Sequence, residues 1–186
     1  MTSTITYTEE LVARCRKGDQ RAQLEIYNKY YKAMYNTALR IVNDTAEAED
    51  VMQEAFIRAF SKLDSFQGKS TFGAWLKKIT VNLSINSFNK QSRYQNVPFE
   101  DALKYEVEEH EGIDIKEEEA TSKVQKILKA LNSLKDSYRV ILTLHLIEGY
   151  DYDEICEILG ISAANCRTSI SRAKESLRKK LLGNEE

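Results

Sequence analysis

YDEICEILGISAANCRTSISRAKESL, residues 152–177, is the stretch on which the reading of this chain turns. Ile155, Ile158 and Leu159 recur at spacings of three and four, and Gly160 follows where a tight turn needs a backbone that tolerates positive φ. Ile161 plugs the junction, and Ser162 supplies the oxygen that caps a second helix. There Cys166, Ile170, Ala173 and Leu177 fall at i, i+4, i+7 and i+11, which places them on one buried face. Asn165, Arg167, Thr168, Ser171, Arg172 and Lys174 then project away from the core. The pattern predicts a helix-turn-helix over residues 152–182 whose outer face suits a major groove. Arg167 and Arg172 can meet guanine edges or phosphates, and Asn165, near the helix start, can reach a base edge. Arg178, Lys179 and Lys180 carry the cation density further, as phosphate anchoring requires, though a solvated last turn complementing the helix dipole looks the same. By itself the motif also fits an ordinary trihelical unit with a solvated basic face.

Working back from the motif, residues 122–134 and 138–147 each show helical periodicity, the first through Val124, Ile127, Leu128, Leu131 and Leu134. Before them, residues 96–121 lose periodicity and are rich in acids, a linker by composition. In the N-terminal part Thr8 can cap a short helix ending at Gly18. Asp19 caps the next, with Leu24, Tyr27, Tyr31, Met34, Ala38 and Ile41 as its buried stripe. Asp44 and Glu47 resemble a capping box ahead of a helix with Met52, Phe56, Ala59, Phe60 and Leu63 on one face and Asp50, Gln53, Glu54 and Arg58 on another. A loop over residues 64–70 leads to Thr71, which opens a helix through Phe72, Trp75, Leu76, Ile79 and Leu83. An all-α fold follows: an N-terminal four-helix bundle (1–95), an acidic connector (96–121) and a C-terminal helical domain carrying the helix-turn-helix (122–186).

The formal charge of −2 conceals a division along the chain. Residues 1–95 carry 14 Lys and Arg against 10 Asp and Glu, residues 96–122 carry 2 against 10, and residues 123–186 carry 11 against 9. Within residues 58–93 there are seven basic side chains and one acid, Asp64. Local charge sets the field that a phosphate feels within about 10 Å, so two basic surfaces flanking an acidic connector are compatible with a nucleic-acid partner. Phe66, Phe72 and Trp75 lie among Arg58, Lys62, Lys69, Lys77 and Lys78, the mixture that holds single-stranded DNA by stacking and phosphate pairing. Phe66, beside Gly68 in a loop, is expected to line a pocket for an unstacked base; Trp75 and Phe72 also fit as core.

Several function classes are excluded. Cys15, Cys156 and Cys166 form no C-x-x-C pair and no zinc-like pattern with His110 or His145, so each is expected to fill a small apolar space, with no metal, cofactor or redox role. There is no glycine-rich phosphate loop, no H-E-x-x-H and no G-x-S-x-G, so no enzymatic activity is expected. No segment reaches the roughly 18 apolar residues needed to span a bilayer, and the polar start lacks a leader's basic and apolar regions. A cytoplasmic protein is expected.

Residues 48–60 (AEDVMQEAFIRAF), 62–76 (KLDSFQGKSTFGAWL) and 79–83 (ITVNL) closely resemble region two of the extracytoplasmic-function (ECF) sigma factors. Residues 148–162 (EGYDYDEICEILGIS), followed by Arg172-Ala-Lys, resemble their region four. Both blocks stand in the family's order and separation. The resemblance implies a factor that binds core RNA polymerase and directs promoter recognition. It implies that Asp50, Gln53 and Glu54 meet the clamp helices of the polymerase largest subunit. Arg58, Lys62, Phe66, Lys69, Trp75, Lys78 and Asn82 engage the melted minus-ten element, and Ser162, Asn165, Arg167, Thr168, Arg172 and Lys174 serve the minus-thirty-five element. The surface near Leu142 and Leu146 approaches the flap of the second-largest subunit, the linker passes near the RNA exit path, and an anti-sigma factor is an expected partner. Gln67, Lys69, Gly73 and Ser169 depart from the family pattern; a cation lost at Ser169 predicts fewer phosphate contacts and a shallower salt dependence. The rival reading is a conventional helix-turn-helix regulator that binds duplex DNA without polymerase.

Overall fold

A computed structural model of the protein describes residues 7–94 and 122–183, and among these every regular element is helical. The linker expected at 96–121 lies outside the described residues. The helices are α1 (Tyr7–Arg16), α2 (Gln20–Val42), α3 (Thr45–Ser61) and α4 (Phe72–Tyr94), then α5 (Ser122–Asn132), α6 (Asp136–Leu142), α7 (Tyr152–Leu159) and α8 (Ala163–Gly183).

 Helix α7 thus spans Tyr152–Leu159. A 3₁₀ turn (Leu63–Ser65) follows α3, and a π-helical turn (Thr143–Ile147) extends α6. No described helix is long and apolar enough to cross a membrane.

Caps punctuate the chain much as the residue types dictate. The Asp19 carboxylate accepts the amides of Arg21 and Ala22 at 2.9 and 3.2 Å, opening α2, while Gly18 takes φ 83° at the end of α1. Thr71 Oγ1 accepts the Ala74 amide at 3.2 Å and starts α4. Thr8 does not play the expected capping role: it lies inside α1, and its hydroxyl accepts a bond from Lys29 Nζ.

The described helices pack as two compact units, one of residues up to Leu39 with Thr45–Ser84, the other of Arg40–Asp44 with residues from Ile85 onward. In the first, Leu11, Val12, Cys15, Ile26, Met34, Met52, Phe56, Leu63, Phe66, Phe72 and Leu76 form one apolar core. Leu24, expected in the buried stripe of α2, is 60% exposed. Ala22 and Ile26 are buried instead, so the inward stripe at this end of α2 runs along a neighbouring line of side chains.

In the second unit the core is built from Leu128, Leu131, Leu134, Ile141, Leu142, Leu144, Ile155, Cys166, Ile170 and Ala173. Arg139 is buried with them, and its guanidinium is satisfied by the carbonyls of Arg40 (3.1 Å) and Ile41 (3.0 Å) and by Asp136. A buried cation needs such partners, because desolvating it unpaired costs several kcal/mol or more. The π-helical turn ends where the Glu148 amide bonds back to Thr143 O at 3.0 Å, and Gly149 takes φ 80°.

Candidate nucleic-acid interface

In the first unit, two surfaces are assembled from the sequence upward. Burial of Val51, Met52, Ala55, Phe56 and Ala59 turns the opposite side of α3 outward. Asp50 and Gln53 are exposed there and Glu54 is half-buried. Ile57 lies at i+7, i+4 and i+3 from these three, on the same stripe, and is 63% exposed. Its residue type suggests core, but the helical period places it on the outward stripe. Arg58 donates to Glu54 at 2.6 Å across one helical turn, with both side chains about half exposed. Such a pair contributes roughly 0.3–0.5 kcal/mol, so either partner is readily released to another molecule.

The second surface runs along the loop into α4. Trp75, Lys78 and Asn82 fall at i, i+3 and i+7 and share one stripe, with Trp75 half-buried and the other two exposed. Lys62 and Lys69 are exposed on the approach to that helix. Phe66 corrects the expectation of a loop ring open to a base: it is only 8% exposed, its ring packed against Trp75 at 5.3 Å and edge-on to Phe72 at 5.7 Å. The Arg16 guanidinium donates to the Phe66 carbonyl, tying the loop to α1. The loop presents its cations outward because its aromatic ring faces inward.

In the second unit, α7 and α8 make the helix-turn-helix. Asp151 accepts the Glu154 amide at 2.8 Å, and the Asp151 amide donates to the Glu154 carboxylate at 3.0 Å, a reciprocal cap that begins α7. Gly160 closes it at φ 65° and ψ 36°, and the Ser162 hydroxyl accepts the Asn165 amide at 3.3 Å to start α8. Cys166, Ile170, Ala173 and Leu177 are buried, leaving Arg167, Thr168, Arg172 and Lys174 exposed and Asn165 half-buried. Ser162 thus serves as a cap with its hydroxyl at the surface, and the Thr168 hydroxyl donates to Ala164 O at 2.9 Å.

Ser169 corrects a second expectation. It is 6% exposed, on the inward side of α8, so it is not on the outward polar face of that helix, and no shallower salt dependence is expected from a missing cation there. Lys174 is held at 3.2 Å from His145 Nε2, while His145 Nδ1 lies 3.3 Å from the Tyr150 carbonyl. An ammonium can only donate, so Nε2 accepts and Nδ1 carries the proton that bonds Tyr150 O. His145 also stacks on Tyr152 with ring centroids 5.2 Å apart. The π-helical turn, which sequence periodicity did not reveal, sets this histidine against α8.

An apolar groove on the same unit is lined by Val124, Ile127, Leu128, Leu131, Leu146 and Leu177. Of the two leucines expected at a docking surface, Leu146 is 50% exposed, whereas Leu142 is fully buried and belongs to the core.

The family Sigma-70 region 2 matches residues 26–94, and Sigma-70, region 4 matches residues 124–177. The sequence is 31% identical to the ECF RNA polymerase sigma-E factor of Haemophilus influenzae, with 93% of this chain and 94% of the relative covered. It is 33% identical to the ECF RNA polymerase sigma factor SigW of Bacillus subtilis, covering 91% and 94%. The chain belongs to the ECF sigma factors. It is an RNA polymerase sigma factor, built for transcription initiation from a region two and a region four helical domain. Among solved structures, it resembles the sigma factor RpoE of Bartonella quintana, crystallised with the anti-sigma factor NepR: TM-score 0.56, 25% identity, with 84% of this chain and 94% of that one covered. As a sigma factor, it has core RNA polymerase and promoter DNA as its partners. The α3 stripe and the α4 surface lie within the region 2 match, and the outward polar residues Asn165, Arg167, Thr168, Arg172 and Lys174 of α8 lie within the region 4 match.

Proposed function

We propose that this sigma factor divides its work among three surfaces. Asp50, Gln53 and Glu54, with Ile57 as an apolar contact, engage the clamp helices of the polymerase largest subunit. Arg58, Lys62, Lys69, Lys78 and Asn82 follow the backbone and bases of the melted minus-ten element, with the half-buried edge of Trp75 as a stacking platform. Phe66 acts indirectly, by holding Trp75 and the loop in place. Asn165, Arg167, Thr168 and Arg172 read the minus-thirty-five element in the major groove, and Ser162 and Lys174 contribute at its margin. The functional boundaries follow the sequence: 1–95 for polymerase binding and minus-ten melting, 96–121 as an acidic tether, and 122–186 for minus-thirty-five recognition.

The apolar groove with Leu146 at its rim suits the flap of the second-largest subunit. An anti-sigma factor is a further partner, by analogy with the Bartonella RpoE–NepR complex. The protein acts in the cytoplasm and catalyses no reaction itself. What supports the reading is the make-up of two surfaces of the first unit: exposed Asp50, Gln53 and Ile57 with half-buried Glu54 on α3, and exposed Lys62, Lys69, Lys78 and Asn82 with half-buried Trp75 along the loop and α4.

The test is transcription from a cognate promoter with purified core polymerase. Neutralising Lys62 and Lys78 should leave co-elution with core enzyme intact and reduce open-complex formation on a duplex promoter, with partial recovery on a pre-melted bubble template. Loss of polymerase binding in that variant, or equal defects on duplex and bubble, would remove the division of labour proposed here.

A further inference from the structure

Arg16 ends α1 and stands before residues 26–94, which the Sigma-70 region 2 family matches. No motif singles it out in the sequence. Its place is set by the packing of the helix that carries it: Leu11, Val12 and Cys15 are buried in the same core as Leu63, Phe66 and Phe72. Arg16 lies one helical turn beyond Val12, at the edge of that buried face. Its guanidinium donates to the Phe66 carbonyl, 50 residues on in the chain, and the same nitrogen lies 3.5 Å from the Leu63 carbonyl. These carbonyls mark the two ends of one short turn, in which the Phe66 amide donates to Leu63 O at 3.1 Å. Carbonyls where a helical turn stops have no donor from the turn itself, and a guanidinium supplies one with a charge behind it. On its other side, the Phe66 ring packs against half-buried Trp75 at 5.3 Å. One loop residue is thus held by its backbone from α1 and by its ring from α4.

We infer that Arg16 is a positioning residue for promoter melting. From outside the matched region it fixes the backbone of residues 63–66, so that the Phe66 ring backs Trp75 while Lys62 and Lys69 are presented to the melted strand. Arg16 does not itself touch the DNA. The inference rests on the minus-ten reading of the loop and α4 given above. A loop ordered before the strand arrives spares the complex the entropy of ordering it on the DNA. Removing the guanidinium leaves the Phe66 carbonyl to water, and that ordering must then be supplied during melting.

Trp75 is the sole tryptophan, so its emission reports on the loop with no DNA present. The experiment compares the full-length parent, R16A and R16K by acrylamide quenching of that emission; acrylamide is uncharged, so the loss of a cation does not itself attract or repel it. R16A should raise the quenching constant and leave co-elution with core polymerase unchanged. It should also slow open-complex formation on the cognate duplex promoter by about threefold to tenfold, the range of a single charge-assisted hydrogen bond. R16K, whose ammonium still has donors for the Phe66 carbonyl, should recover part of both effects. Slower opening with parental quenching would assign Arg16 a direct DNA contact, and raised quenching with parental opening would leave the tie without a part in melting; either overturns the inference, as does loss of polymerase binding in R16A. The variant neutralised at Lys62 and Lys78 separates the two levels. If it impairs opening while R16A does not, only the role of Arg16 fails; if it too opens the promoter normally, the minus-ten reading fails and the inference with it.

Discussion

Gly73 departs from the family pattern in the opening turn of α4, and the structure supplies a reason that the sequence could not. A β-carbon built on it would come 2.9 Å from the ring of Tyr30, which itself packs on Phe72 with centroids 5.7 Å apart. G73A should therefore cost about 1 kcal/mol or more through overpacking. In a Y30A background the same change should stabilise by roughly 0.5–1 kcal/mol, because alanine is the better helix former; urea unfolding of the four proteins measures the cycle, and equal effects in both backgrounds would refute the clash. Asp19 makes a second residue-scale prediction. The Ala22 amide, then the Arg14 side chain, hold its carboxyl below the ordinary carboxylate range. A lowered folded-state pKa adds stability that is present above the unfolded value of about 3.9 and lost as pH falls through the folded one. D19N keeps the cap but not the charge. Its deficit in thermal midpoint relative to the parent should hold from neutral pH to about pH 5 and shrink below pH 4; a deficit unchanged at pH 3 would assign the effect to shape instead.

At the scale of elements, α7 has only the residues Tyr152–Leu159, too few to hold a helix by propensity. Its two ends are fixed instead by the Asp151–Glu154 reciprocal cap and by Gly160 in the left-handed region. D151A should cost about 1 kcal/mol, as lost N-caps typically do. G160A should cost a similar amount, roughly 1–2 kcal/mol, because a β-carbon is strained at positive φ whatever the space around it. Both are read by chemical denaturation, and a neutral D151A would show that packing on α8 alone determines the helix. Helix α8 carries a complementary expectation. Arg172 is exposed and remote from that core, so R172A should leave stability within about 0.5 kcal/mol of the parent. It should weaken binding to the minus-thirty-five element by about 1–3 kcal/mol if it reads a base, or reduce the salt slope by about one if it meets a phosphate.

For the molecule as a whole, the prediction is separability. Alanine at Asp50, Gln53 and Ile57 changes only exposed side chains of α3, so thermal stability should be retained while co-elution with core polymerase falls at least tenfold. Alanine at Arg167 and Arg172 should do the reverse, preserving polymerase binding and abolishing the promoter-specific transcript. If either triple or double variant lost both activities together, the surfaces would not be independent. Much of this was legible in the residues alone. The two motif blocks, the charge division, the all-helical class, the caps at Asp19, Thr71 and Ser162, and the buried face of α8 depend on local chemistry and a 3.6-residue period, both written in a single strand of sequence. What periodicity cannot say is which of two adjacent stripes faces inward, whether an apolar side chain has a neighbour to cover it, or which distant atoms meet. That is why Leu24 proved exposed, why Phe66, Leu142 and Ser169 proved buried, and why the encounter of Lys174 with His145 had no signal before folding. Local residue chemistry was enough to set the elements and their caps; which surfaces they present came only with packing, because burial is a property of the contacts between helices and not of any one helix.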